Sequence, residues 1–164
     1  MSDEVFHNLS DDDVQAIVAY LRAQPEVEPD TPAKRFNLLG AIMAAALLPD
    51  EVFTHQPPIT APVSALPAGP TAEYGRYLSV VVGCTSCHGA QLEGGQPNQD
   101  GPPPGPSLVA FAKQHSEADF IKTIRTGMTP EGRTLSEEMP WRSYAKFSDD
   151  ELPGLHAYIT VLGK

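Results

Sequence analysis

Four stretches of the chain place apolar residues at helical spacing behind a residue that caps helices: Ser10, Thr71, Ser116 and Ser148. In the first and last of them, carboxylates follow the serine, where the helix dipole favours negative charge. Gly127 is expected to end the third helix. Pro153 lies one turn into the last stretch and predicts a late start or a bend. Because no segment shows convincing strand alternation, the pattern predicts an all-α protein.

The first and last stretches are related by an internal repeat at an offset of 138 residues. Its matching positions are Met1 and Met139, Ser10–Asp12 and Ser148–Asp150, and Ala19-Tyr20 and Ala157-Tyr158. Any capped amphipathic helix would show part of this pattern, but a methionine nine residues before the serine in both copies favours a true repeat. We therefore interpret residues 1–24 as the C-terminal remnant of a preceding, similar domain. A truncated gene model, an excised fragment or an internal start codon would each produce such a remnant.

Residues 25–70 are interpreted as a proline-rich linker that leads to a compact domain at 71–164. Within the linker, an apolar stretch near 34–48 predicts a helix, which is too short to cross a bilayer because a crossing takes about 20 apolar residues. We expect this helix to pack against protein, with a membrane-surface or partner-facing role as the alternative. The acidic start of the chain does not resemble a signal peptide.

The charge of the chain limits its partners. Its 164 residues include 21 acidic and 11 basic ones, for a formal net charge of -10. Nucleic acid and anionic lipid surfaces are therefore poor partners. Such a surface would favour encounter with a basic docking patch on a redox partner, although solubility explains the acidity equally well.

The two cysteines of the chain, Cys84 and Cys87, are followed directly by His88. This C-x-x-C-H pattern indicates covalent attachment of a c-type haem, in which each thiol adds to one vinyl group and the imidazole is held against the iron. Zinc is an alternative, but it would need further ligands nearby, and His115 and His156 stand alone. A thioredoxin-like dithiol is another alternative, but it would sit in a βαβ unit.

Residues 71–163 resemble the class I cytochrome c domain, particularly the domains repeated in cytochrome subunits of periplasmic dehydrogenases. The segments that carry the resemblance, in family order, are Gly83–Gly89, Gly105–Leu108, Arg125–Gly127, Met139–Trp141 and the terminal helix. The resemblance implies a cytochrome c fold around one covalent haem c, with His88 and Met139 as the axial ligands of the iron. Met128 is the rival candidate for the second ligand.

The resemblance also implies a set of residues around the haem. The carbonyl of Pro106 would accept the second N–H of His88 and orient the ring. Ser107 stands where the family usually has asparagine, which leaves the local side-chain bond open. Candidate donors to the haem propionates or to nearby backbone are Arg125, Trp141 and Tyr144, each of which could instead be ordinary structure.

In the family, the first and last helices of the domain cross, and here Gly75 would allow their close approach. Because the porphyrin would then form a large share of the buried surface, we expect the haem-free form to be largely unfolded.

Together these features predict a c-type cytochrome that passes single electrons between redox partners as part of a dehydrogenase electron-transfer chain, and not an enzyme. Since haem is attached through thioethers outside the cytoplasm, a periplasmic or otherwise extracytoplasmic location is expected. The alternative function is a haem sensor or a peroxide-reactive protein, in which the distal methionine is labile.

Overall fold

The computed structural model describes residues 6–26, 37–47, 59–96 and 103–164. The chain divides into two compact units, Met1–Ala65 and Leu66–Lys164. Among the described residues, the first unit contains helices α1 (Asp11–Arg22) and α2 (Leu38–Leu47). Those of the second unit are α3 (Ala72–Val81), α4 (Cys84–His88), α5 (Leu108–Gln114), α6 (Glu117–Thr126), α7 (Trp141–Tyr144) and α8 (Glu151–Leu162).

Regular structure in the described residues is helical, apart from an isolated antiparallel bridge between Met128 and Thr134. The predicted all-α class is therefore confirmed. The second unit begins at Leu66, ahead of the predicted domain start at residue 71. The intervening residues belong to it because Gly69 is buried and its carbonyl accepts a hydrogen bond from the Thr71 amide at 2.8 Å.

The predicted capping residues begin their helices as expected. The hydroxyl of Ser10 accepts the Asp13 amide at 3.1 Å, and the hydroxyl of Thr71 accepts the Tyr74 amide at 3.2 Å. Ser116 forms a complete capping box with Asp119, and α6 ends at Gly127, which adopts a left-handed backbone with φ +70°. These local bonds explain why the apolar stretches start as helices where they do.

Helix α8 starts late, as Pro153 predicts. The helix begins at Glu151, so the proline lies in the first turn, where an amide would have no intrahelical acceptor. Ser148 still caps this end from outside the helix. Its amide donates to the Glu151 carboxylate at 2.6 Å, and its hydroxyl accepts the Glu151 amide at 3.2 Å.

The pattern of apolar residues does not predict α5 and α7. Helix α5 follows Ser107, whose hydroxyl accepts the Ala110 amide at 3.0 Å. The serine that replaces the family's usual asparagine therefore acts as the N-cap of α5. Helix α7 is a single turn that follows Pro140.

Helices α3 and α8 cross at two glycines. A Cβ atom built on Gly75 would lie 1.9 Å from the Gly154 carbonyl oxygen and 2.9 Å from the Leu155 amide nitrogen. Only glycine allows the two backbones to approach this closely, as the sequence predicts. The crossing buries Leu78 of α3 against the apolar side chains of α8 and closes one side of the core.

Replacing Gly75 by alanine is expected to destabilise the second unit by about 3 kcal/mol, because backbone atoms of α8 cannot yield to the new methyl group. Gly69→Ala is the matched control, since a Cβ atom there meets nothing within 4 Å. Its effect should stay within about 0.5 kcal/mol. Denaturant unfolding of the haem-loaded protein measures both values. Equal stability of the two variants would contradict a tight crossing.

Apolar side chains of α1 and of the described part of α2 are exposed. On α1, Val14, Ile17 and Leu21 are exposed, whereas their counterparts in the repeat, on α8, are buried. On α2, the exposed apolar side chains are Leu38, Leu39, Ile42 and Met43. The expectation that this helix packs against protein is not met at these four side chains, and residues 34–36 and 48 of the predicted helix lie outside the described residues.

No helix of the described segments is long and apolar enough to cross a membrane.

Candidate haem site

A cleft in the second unit brings together most of the residues that the sequence marks as functional, whereas Arg125 and Trp141 do not line it. The space inside it, including the open mouth, is about 1070 Å³. Among the residues that line it are Cys84, Cys87, His88, Pro106 and Met139. The remaining walls are largely apolar and come from α6, α8 and the segments beside α4 and α7.

Helix α4 presents the two cysteines and the histidine from little more than one helical turn. Because side chains three positions apart lie on the same helix face, Cys84 and Cys87 both reach the cleft. Both are free thiols. Burial raises the pKa of the Cys84 thiol to about 12, opposed in part by a backbone hydrogen bond. A redox-active dithiol needs a lowered thiol pKa, so this environment disfavours the dithiol alternative.

The imidazole of His88 is buried and oriented by backbone. Its Nδ1 lies 2.7 Å from the Pro106 carbonyl oxygen, so Nδ1 carries the proton and Nε2 keeps its lone pair. Gly105 makes this approach possible, because a Cβ atom there would lie 2.7 Å from ring atoms of His88. Burial lowers the pKa of His88, and the Pro106 carbonyl raises it to a smaller degree. The net effect favours the neutral imidazole, the form that binds metals.

The structure distinguishes the two candidate methionines. Met139 is half-buried and lines the cleft. The side chain of Met128 is 51% exposed, and the residue forms the isolated antiparallel β-bridge with Thr134. The described part of the cleft wall therefore includes Met139 and not Met128.

Trp141 follows Met139 closely and packs its ring against Gly127, where a Cβ atom would lie 2.5 Å from the indole. The Arg142 guanidinium lies 4.5 Å from the centre of the same ring. The indole Nε1 is buried and has no hydrogen-bond acceptor among the described residues. Since an unpaired buried donor costs about 1–3 kcal/mol, a carboxylate such as a haem propionate would be a fitting acceptor.

Arg125 and Tyr144 each donate a hydrogen bond to a backbone carbonyl. Backbone was the alternative to the haem propionates as a partner for these two residues. The Arg125 guanidinium donates to the carbonyl of Ala145 and, at 3.1 Å, to the carboxylate of Asp149. Tyr144 lines the cleft, but its hydroxyl donates to the Val82 carbonyl at 2.9 Å. Burial is the main cause that raises the pKa of Tyr144 to about 12, so this hydroxyl stays protonated.

One buried residue of the cleft wall could not be identified from the sequence. Leu92 is fully buried, lines the cleft and adopts φ +54°, which is unusual for a side chain other than glycine. Its carbonyl accepts the amides of Leu108 at 2.9 Å and Val109 at 3.2 Å, at the start of α5. Because it lies in a glycine- and proline-rich stretch, helical periodicity could not identify it as a core residue.

The chemistry of this donor set fits a covalently held haem. Two thiols, a neutral imidazole and a thioether share an apolar cleft, and an unpaired indole N–H lies near the thioether residue in the chain. No group of three or more His, Cys, Asp or Glu side chains suited to a metal ion occurs in the segments that the structure describes. A zinc site is therefore not supported there. The fold and the site define an all-α domain with an apolar cleft whose donor set is suited to a haem held through two cysteines.

Comparison with known proteins identifies the family. Residues 72–162 match the family model described as cytochrome c, and the match covers more than half of the chain. The chain belongs to the cytochrome c family, whose members carry covalent haem c and transfer electrons. This result favours electron transfer over sensing or peroxide chemistry at an open iron.

Two curated relatives are similar to part of the chain. The gluconate 2-dehydrogenase cytochrome c subunit of Pantoea cypripedii is 33% identical over 96 residues, which cover 51% of this chain and 21% of the relative. The fructose dehydrogenase cytochrome subunit of Gluconobacter japonicus is 28% identical over 113 residues, 61% of this chain and 23% of the relative. The chain thus spans less than a quarter of the length of these relatives. No solved structure gives a significant match.

Proposed function

We propose that the chain carries one haem c, bound through Cys84 and Cys87, and transfers single electrons with His88 and Met139 as the axial ligands. The observation that carries this proposal is the shared cleft, in which α4 and Met139 meet and the ring of His88 is fixed by Pro106. When bound, the haem supplies the one-electron carrier, while the protein sets its potential and exposure.

Each residue of the site would contribute a defined property. His88 would bind iron through Nε2, and the Pro106 carbonyl would hold the ring and strengthen its donation. The soft thioether of Met139 would favour ferrous iron and so raise the reduction potential. The indole Nε1–H of Trp141 would donate a hydrogen bond to a haem propionate.

We propose a dehydrogenase subunit as the electron donor, because both relatives named above are cytochrome subunits of dehydrogenases. Attraction to a basic docking patch would arise mainly from the first unit. Residues 1–65 contain ten acidic and three basic residues, for a formal net charge of -7. Residues 66–164 contain eleven acidic and eight basic residues, for a formal net charge of -3. An extracytoplasmic location is part of the proposal, since thioether attachment of haem takes place there.

We also propose the domain organisation predicted from sequence, with residues 1–24 as a segment similar to the end of a cytochrome c domain, a linker at 25–70 and the haem domain at 71–164. The repeat and the capped helix α1 support this division. Helices α1 and α8 share their pattern of apolar positions, although only α8 buries it.

Haem attachment is tested by exporting the chain to a periplasm with haem-maturation machinery. The purified protein should carry the mass of one haem and give a pyridine haemochrome spectrum typical of two thioether bonds. Cys84→Ala and Cys87→Ala variants should each show a spectrum typical of a single thioether or carry no haem. Exported wild-type protein without added haem mass would refute the proposed cofactor.

A further inference from the structure

The segment that carries Met139 joins α6 to α8 and contains little regular structure. At its base, the Leu135 amide donates to the Gly127 carbonyl at 2.8 Å. Around the methionine, the Met139 amide donates to Ser136 and the Trp141 amide donates to Met139, so these bonds are local to the segment. The position of Met139 relative to the rest of the domain must therefore depend on contacts that the segment makes with other elements.

Tyr144 makes the most direct of these contacts. Its hydroxyl donates to the carbonyl of Val82 at 2.9 Å, and Val82 lies two residues before Cys84. One hydrogen bond thus joins the segment of Met139 to the start of the haem-attachment motif. The bond is partly buried, so water competes for it less than at an exposed site. Tyr144 also packs edge-on against Phe147, with ring centres 5.5 Å apart.

Arg125 makes the second contact, from the last turn of α6. Its guanidinium donates to the carbonyl of Ala145, the residue next to Tyr144. Both contacts therefore hold the same turn of the chain, shortly after Met139. The ion pair of Arg125 with Asp149 is a weaker constraint, because the Asp149 side chain is fully exposed and such pairs contribute little.

We propose that Tyr144 and Arg125 are positioning residues that keep the Met139 segment closed and thereby set how readily an external ligand displaces Met139. This inference rests on the proposed function, because it takes Met139 as the second iron ligand. Loss of either contact would increase the population of the open segment. The apparent affinity for a competing ligand would increase by the same factor, since only the open form can bind it.

Imidazole is the probe, added to the oxidised, haem-loaded full chain while the visible absorption spectrum is recorded. Tyr144→Phe should raise the apparent imidazole affinity by about 2- to 10-fold, as expected for one lost hydrogen bond. Arg125→Gln should raise it by a similar factor. Asp149→Asn and Tyr158→Phe are the controls and should change it by less than about 2-fold, because neither alters a proposed contact. Unchanged affinities in both Tyr144→Phe and Arg125→Gln would overturn the inference.

A second series separates positioning from general destabilisation. In a Met139→Ala background, Tyr144→Phe and Arg125→Gln should have no further effect on imidazole affinity, because the ligand they hold in place is gone. Persistence of the full effect in that background would refute the positioning role. If Met139→Ala alone leaves the spectrum unchanged, the proposed iron ligand is wrong. If it changes the spectrum while Tyr144→Phe and Arg125→Gln do nothing, only the inference fails.

Discussion

Met139→Ala is expected to lower the reduction potential by on the order of 100–200 mV, within the ~0.8 V range over which axial ligands tune haem. The substitution removes the thioether that favours ferrous iron, so water or another hard ligand would take its place and stabilise the ferric state. Spectroelectrochemical titration of the haem-loaded protein measures the potential. The absorption band of a methionine–iron(III) bond should disappear at the same time.

Met128→Ala is the matched control for this experiment. Met128 is the rival candidate from the sequence, but its side chain is 51% exposed and outside the cleft wall. Its removal should leave the potential and the spectrum unchanged. A reversal, in which Met128→Ala abolishes the band and Met139→Ala retains it, would assign the second ligand to Met128.

The second large effect concerns folding. A Cys84→Ser/Cys87→Ser variant produced without haem is expected to have a largely unfolded second unit. Six of the eight buried apolar side chains of the described residues line the cleft: Leu92, Phe120, Ile124, Leu152, Leu155 and Ile159. Without haem these side chains would face a water-filled cleft, and much of the apolar burial that stabilises the second unit would be lost. A typical domain is stable by only about 5–15 kcal/mol, so a loss of this kind is enough to unfold the unit.

The measurement uses thermal unfolding followed by circular dichroism and by the fluorescence of Trp141, the single tryptophan of the chain. The haem-free variant should show solvent-exposed tryptophan emission and no cooperative transition, whereas the haem-loaded protein should melt cooperatively. Because Trp141 lies in the second unit, its emission reports on the folding of that unit. Native-like helical dichroism with a sharp melting transition in the variant would contradict the prediction.

Features that depend on neighbouring residues were predictable from the sequence. The caps at Ser10, Thr71 and Ser116 bond to amides three residues away, so their roles can be read from the local pattern. The late start of α8 follows in the same way from Pro153. The contact between His88 and Pro106 spans 18 residues, and it was predictable because both residues belong to motifs of a known domain.

Tertiary contacts outside the known motifs were not predictable. The bond from Tyr144 to Val82 joins residues 62 positions apart, and no pattern distinguishes it from a bond to a propionate. Arg125 presents the same ambiguity, which only the position of the Ala145 carbonyl resolves. The buried position of Leu92 arises from an unusual backbone conformation that its neighbours in the sequence do not indicate.

The overlap between the cleft wall and the apolar core has a consequence for the living cell. A chain without haem would expose its apolar core and be degraded by proteases, whereas a haem-loaded chain would resist them. Quality control of this protein would then need no dedicated sensor of iron. The protein that remains would consist almost entirely of molecules that can transfer electrons.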